Sequence, residues 1–156
     1  MSKVVDGIKG NKRFIIGLIV FDGERFLLLH RKLNWKGWEF PKGGIEKDEK
    51  FEDTIKRELF EETGIKKFSI IDKVDEFVYV DKIRKKESFI KNYLVHVSSN
   101  SKVILNNEHA LDGKIIIEHD DFKWCFAKEA VNLLTHKNQK ESMRKAIKLL
   151  GLELHD

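Results

Sequence analysis

The 156-residue sequence has one cysteine, Cys125, and one proline, Pro41. A lone cysteine excludes an internal disulfide framework and a zinc site built from cysteines. One proline among ten glycines excludes collagen-like or proline-rich linker material. Long apolar runs are also missing. The longest, Phe14 to Phe21, has eight residues and contains a glycine, far short of the roughly 20 a membrane-spanning helix needs, and no signal-peptide cleavage pattern accompanies it. Neither sign of charge dominates, with 30 basic against 26 acidic residues, so charge permits an anionic partner without identifying one. What is present is 41% hydrophobic residues, too many for a disordered chain. The length corresponds to about one domain. These features predict a single-domain, soluble, cytoplasmic protein with no membrane partner and an open oligomeric state.

No repeat or low-complexity tract interrupts the chain. Residues 1–12 mix small, charged and glycine residues and are expected to form a flexible N-terminal segment, with one domain over 13–156. Phe14–Phe21 is apolar and β-branched, as a buried strand requires, and Asp22-Gly23 is a hairpin signal leading into a second strand over 25–30. Residues 31–48, with Trp35, Trp38, Pro41 and Gly43-Gly44, read as a long loop. A helix is expected over 49–63, capped by Asp48 and ended by Gly64. Strands follow over 68–71, 74–80, 88–97, 114–118 and 122–126, then helices over 128–135 and 141–150. Runs of strands with segregated helices predict an α+β fold, a sandwich around a mixed sheet.

The 49–63 helix carries an unusual acidic face. With about 100° per residue and Glu58 at zero, the apolar positions Phe51, Ile55 and Leu59 fall near 20°, 60° and 100°. Glu62 falls near 40° and Glu61 near 300°, so Glu58 and Glu62 face the core and Glu61 flanks them. Like charges three or four residues apart repel by about 0.2–0.5 kcal/mol per pair. Acids in a last turn oppose the helix dipole at about 0.3–1 kcal/mol each, and partial burial adds desolvation. A divalent cation would offset all three effects, and hard oxygen ligands favour magnesium or manganese over zinc. A Glu-rich helix is more often a solvated face, and a glycine pair alone more often a turn. Here, however, Lys42-Gly43-Gly44 sets a cation and a closely approachable backbone directly before the acids. Together they describe a site for a phosphate–magnesium complex.

Gly43, five residues, Glu49, seven residues, then Arg57-Glu58-Leu59-Phe60-Glu61-Glu62-Thr63-Gly64-Ile65 resembles the box that defines the Nudix hydrolases, at all nine specified positions. The resemblance implies an α/β/α sandwich and a hydrolase of phosphorus anhydrides that cleaves a nucleoside diphosphate linked to another group, with Mg2+ or Mn2+. It implies that Glu58 and Glu62 are principal metal ligands and that Glu61 is a further ligand or general base, with Glu58 its rival for that second role. It implies a backbone ligand at Gly43, and in Arg57 and Glu49 an ion pair that orients the loop.

The flanks resemble two groups within the family. Trp38-Glu39-Phe40-Pro41-Lys42-Gly43, with the later Glu118-His119 and Trp124, is similar to hydrolases of diadenosine tetraphosphate and related dinucleoside polyphosphates. That likeness implies an extra glutamate near the metals at Glu118, with Lys42, Gly43, Gly44, Tyr79, Lys91 and Tyr93 as substrate-binding residues. Trp38–Ile45 and Arg57–Glu62 are also similar to RNA 5′-pyrophosphohydrolases, for which Arg84, Lys85, Lys86 and Lys91 would hold an RNA backbone and Trp35 would stack on a base. Nucleoside triphosphates are a third substrate class, and a nucleotide-sensing module without catalysis is the non-enzyme alternative.

Overall fold

The ten residues of Lys12–Phe21 send successive side chains to opposite sides of the sheet, and both sides are apolar. Ile16, Leu18 and Val20 enter one core; Ile19 and Phe21 enter another. A strand buried on both faces needs a cover on each, and the chain supplies helices to both. The computed structural model describes residues 4–5, 8–9, 11–105, 109–111 and 114–152.

In chain order the strands are β1 (Val4–Val5), β2 (Ile8–Lys9), β3 (Lys12–Phe21), β4 (Phe26–Arg31), β5 (Gly37–Glu39) and β6 (Lys42–Gly44). After helix α1 (Phe51–Thr63) come β7 (Ser69–Asp81), β8 (Lys86–His96), β9 (His109–Leu111), β10 (Lys114–Ile116) and β11 (His119–Cys125). Helices α2 (Ala127–Leu133) and α3 (Lys137–Leu149) close the chain. The sheet is mixed: β3 runs parallel to β8 over its full length, while β7–β8, β3–β6, β4–β5 and β4–β11 are antiparallel. Ile55 and Leu59 of α1 pack on one face with Leu27, Leu29 and Val95. Ala130, Val131, Met143, Ala146 and Ile147 of α2 and α3 pack on the other with Phe26, Leu28 and Leu94. This is the α/β/α sandwich expected from the sequence. Cys125 is fully buried and its thiol is pushed up to about 12 by desolvation, which makes it a packing residue. No helix among the described residues is long and apolar enough to cross a membrane.

Several boundaries differ from the sequence reading. Val4–Val5 and Ile8–Lys9 pair as strands, with β2 on β3, where fraying was expected; residues 1–3, 6–7 and 10 lie outside the described residues. The expected loop over 31–48 contains β5 and β6, because Gly43 and Gly44 find hydrogen-bonding partners along β3. Helix α1 begins at Phe51 rather than Glu49, and Lys50, not Asp48, holds the N-cap position without a side-chain cap. Asp48 instead turns the chain at φ 62°, because the Glu49 carboxylate is drawn back to Arg57 and Thr54. Gly64 ends the helix as predicted, at φ 75° with its N–H on the Phe60 carbonyl. The two strands expected over 68–80 are one, with register shifts between Ile70 and Asp72 and between Lys73 and Asp75. The helices expected over 128–135 and 141–150 instead run over α2 and α3, and Thr135 lies outside both because its hydroxyl accepts the Trp38 N–H at 2.8 Å.

Leu59 is fully buried beneath α1. Leu59→Ala is expected to cost about 2–5 kcal/mol of unfolding free energy in urea, with an unchanged denaturant slope.

Candidate active site

Two glutamates of α1 end up buried beside β6, where two of the three residues, Gly43 and Gly44, carry no side chain to exclude them. β6 lies antiparallel to β3, with Gly43 opposite Ile16, and a Cβ on Gly43 would fall on the Glu58 carboxyl group. Glycine is therefore what admits Glu58. One helical turn on, the Glu62 Oε1 accepts the Lys42 backbone N–H at 3.2 Å. The side chains of Glu58 and Glu62 are 10% and 9% exposed, and Glu61 is 51% exposed. The helical wheel thus placed all three correctly: two inward, one at the rim.

Arg57 ties this group together. Its Nε and Nη2 donate to both oxygens of Glu49 at 2.8 and 2.9 Å, and Nη2 also reaches the Gly44 carbonyl at 2.7 Å. Nη1 donates to Glu58 at 2.5 Å and to Glu61 at 3.2 Å. The forked pair with Glu49 is the strong, orientation-specific kind; it holds the Glu49 carboxyl at about 2 and raises the guanidinium further. Glu49 is therefore the anchor of the arginine, and Arg57 the clamp on the acids.

A second charged group closes the other wall. Glu39 is fully buried, with Oε2 accepting from Arg31 at 3.1 Å and from the His119 ring at 2.8 Å, and Oε1 3.1 Å from the Lys42 ammonium. Burial alone would raise its carboxyl, but the His119 hydrogen bond and the charges of Lys42 and Arg31 outweigh this and hold it at about 2. Arg31 also reaches Glu118 at 3.3 Å. Glu39, Glu118 and His119 bring potential ligand atoms within 4.8 Å of one another, yet both oxygens of Glu39 already face cations.

Glu58 and Glu62 are left with the opposite electrostatics. Desolvation, against the pull of Arg57, pushes the Glu58 carboxyl up to about 7. Glu62 is raised well above its usual range by burial and by Glu118, Glu58 and Glu39. Its Oε2 is buried with no hydrogen-bond partner. A buried, orphaned carboxylate oxygen among other acids is poorly matched to an all-protein environment and well matched to a hard divalent cation. The donor set fits magnesium or manganese.

Lys42, Gly43, Gly44, Glu58, Glu61, Glu62, Arg57 and Glu118 line one cleft of about 480 Å³. Glu49 stands behind it. Ile15 and Lys42 also border a neighbouring cavity of about 230 Å³ that contains Tyr79. Lys91 and Tyr93, expected at the substrate, line neither cavity. Tyr79 is opposite Ser88 across the β7–β8 ladder, so it shares a face with even-numbered β8 residues. The odd-numbered Lys91 and Tyr93 point to the α1 side, where Tyr93 stacks on Phe51 at 5.0 Å and packs in the core. Trp35, read as a base-stacking residue, is at the cleft rim beside Arg31 and His136. Trp124 packs against the α1-side core. Arg13, Arg31 and Glu39 were not anticipated as site residues, and His119 was read only as a supporting residue; Glu39 and His119 both stand in the motifs quoted from the sequence, whereas Arg13 and Arg31 carried no local signal.

Residues 11–150 match the family model of the NUDIX domain, and the chain belongs to that family, whose members hydrolyse phosphorus anhydrides. Among curated relatives, the RNA pyrophosphohydrolase of Bartonella tribocorum is 35% identical over 78 residues, 44% of this chain and 45% of that protein. Its counterpart in Campylobacter jejuni is 30% identical over 107 residues, 64% of each. The matched region thus spans between about half and two thirds of these relatives. Among solved structures, the C. elegans Ap4A hydrolase binary complex superposes with a TM-score of 0.71 at 24% identity, covering 88% of this chain and 97% of that one. The E. coli dihydroneopterin triphosphate pyrophosphohydrolase superposes with a TM-score of 0.70 at 16% identity, covering 94% and 99%. These two likenesses are of fold.

The raised carboxyls set the pH dependence of the metal-free protein. A carboxyl at about 7 when folded, against an ordinary 4.5, favours folding while protonated. That contribution is intact below about 4.5 and is lost as pH rises through 7, about 3 kcal/mol in all. Glu62 acts in the same direction. Glu49, held at about 2, stabilises above 4.5 and loses that only as pH falls toward 2, outside this window. In EDTA the melting temperature should therefore fall between pH 5 and 8. Glu58→Gln should flatten the fall and be more stable than wild type at pH 8 by about 1–3 kcal/mol. A wild-type melting temperature that rises across that window would contradict the assignment.

Proposed function

We propose that this chain is a magnesium- or manganese-dependent pyrophosphohydrolase, a single catalytic domain over residues 13–156, acting in the cytoplasm on a nucleoside diphosphate linked to another group. Diadenosine tetraphosphate or a related dinucleoside polyphosphate is the substrate we favour. What carries the metal-dependent hydrolase reading is the orphaned, buried Glu62 Oε2 beside Glu58 in a cleft edged by Arg13, Arg31 and Lys42. What favours a nucleotide substrate is the side cavity holding Tyr79, which joins the cleft at Lys42. The likeness to the C. elegans hydrolase, one of fold, accords with the dinucleoside reading. The RNA 5′ end is the second reading, supported by curated relatives of that name at 30–40% identity.

Glu58 and Glu62, with Glu61, Glu118 and the Gly43 carbonyl around them, would hold the cation, which when bound neutralises pyrophosphate oxygens and acidifies a coordinated water. Lys42, Arg13 and Arg31 attract the polyphosphate into the cleft. Arg57 fixes the direction of Glu58 and Glu61 by hydrogen bonds to both. Glu61, half exposed at the open rim, is the acid placed to take up a proton and pass it to solvent, with the buried Glu58 its rival. Most of the rate gain in such chemistry comes from positioning and charge, which suits acids held on a helix packed into a core.

Turnover of diadenosine tetraphosphate and of 5′-triphosphorylated RNA, compared at equal magnesium, decides between the two substrates; faster cleavage of the dinucleotide is expected. Glu62→Gln should lower kcat by more than the 10–100-fold typical of outer-sphere changes, with the fold retained by circular dichroism. Full turnover in that variant would remove Glu62 from the metal site, and absence of hydrolysis of any nucleotide by wild type would leave the sensing-module reading.

A further inference from the structure

Asn92 of β8 lies beside Gly17 of β3 and is 3% exposed. Its Nδ2 donates to Asp75 Oδ1 at 2.9 Å and to Ser142 Oγ at 3.2 Å, and the Ser142 hydroxyl in turn donates to Asp75 Oδ2 at 2.8 Å. An amide has two N–H donors and one acceptor oxygen. Both donors are spent, and the carboxylate opposite the nitrogen can only accept, so the amide cannot be turned over without facing oxygen to oxygen. Oδ1 is thereby locked as an acceptor over Gly17, in a space that a Cβ at residue 17 would fill.

Asn92 and Gly17 both border the 230 Å³ side cavity. So does Gln139, in the first turn of α3, whose Oε1 is buried with no hydrogen-bond partner. The remaining wall includes the rings of Phe40, Phe77 and Tyr79, with Lys42, His136 and Asn138 on its polar side. The volume falls below the roughly 300–1,000 Å³ of sites that enclose a whole drug-sized ligand, which leaves room for one flat heterocycle. The buried Gln139 oxygen is costly without a donor, and with the Asn92 oxygen fixed as an acceptor this wall calls for a donor on that ring.

Resting on the pyrophosphohydrolase reading of the adjoining cleft, we infer that Asn92 and Gln139 select a nucleobase bearing an exocyclic amino group, and that Asp75 and Ser142 are positioning residues that fix the Asn92 amide for this task. Adenine, guanine and cytosine carry such a group. Purine, hypoxanthine and uracil do not.

The test compares kcat/KM on matched dinucleoside tetraphosphates at fixed magnesium: adenosine against purine riboside, and guanosine against inosine. Wild type should favour the amino member by about tenfold or more in at least one pair, and that pair names the base. Gln139→Leu should bring the ratio toward unity. Asp75→Asn should do so too, because an amide opposite Asn92 lets either end face the cavity; a purely structural role for Asp75 would lower both rates and leave the ratio. Ratios within twofold of unity in wild type on both pairs would overturn the inference and leave the hydrolase reading standing. Calorimetric binding of the same ligands to Glu62→Gln repeats the comparison without turnover. Amino-selective binding, together with a wild type that hydrolyses none of these ligands, would sink the proposed activity and keep the selectivity, while unselective binding would sink the selectivity.

Discussion

The architecture of the site depends on one packing relation, the Glu58 carboxylate lying where a side chain on Gly43 would be. It requires a glycine in β6, a β6 paired tightly to β3, and an α1 pressed against the same face. The first is given by sequence and the second by the Ile15–Gly44 and Gly17–Lys42 pairings. The third comes from Ile55 and Leu59, which sink into the core one face over from the acids. The helix can therefore bury two carboxylates at its dipole-disfavoured end because apolar contacts on the same turns hold it in place. The acids do not stabilise the metal-free fold; the core tolerates them.

The box acids were legible because they lie on one helix, where spacing converts to direction without knowledge of the rest of the chain. Gly64 was legible for the same reason, as a local demand for positive φ. Glu49 was misread as helical because its partner is Arg57, eight residues on, and an ion pair that folds a loop back onto a helix leaves no periodic trace. The sandwich itself followed from runs of strands with segregated helices, and β3, apolar on both faces, must be covered twice.

Strand register was the harder part. Whether an odd-numbered residue of β7 shares a face with odd or even residues of β8 depends on the pairing, and the two register shifts near Ile70–Asp75 change it twice. Beyond both shifts Tyr79 lies opposite Ser88, so it reaches the side cavity while Lys91 and Tyr93 turn away to α1, although all three read alike as hairpin residues with substrate chemistry. The Glu39–Arg31–His119 group was invisible for a different reason: Glu39 and His119 are 80 positions apart, and only the β4–β5 and β4–β11 pairings bring them together.

Lys42 links these two levels of organisation. Its backbone N–H holds Glu62 while its ammonium neutralises Glu39, and the same side chain stands between the cleft and the side cavity. The two buried acids thus receive unequal treatment from one residue. Glu39 gets a full cation, besides Arg31 and His119, and stays ionised; Glu62 gets a single amide and keeps an unsatisfied oxygen. That asymmetry separates a structural carboxylate from one reserved for a ligand. It also explains why Glu39, though close to Glu118 and His119, is poorly suited to bind a cation. Any ion there would meet the Arg31 guanidinium, the Lys42 ammonium and the His119 ring within 3.1 Å of the carboxylate, whereas Glu62 Oε2 has His119 Nδ1 at 3.7 Å, beyond hydrogen-bonding distance.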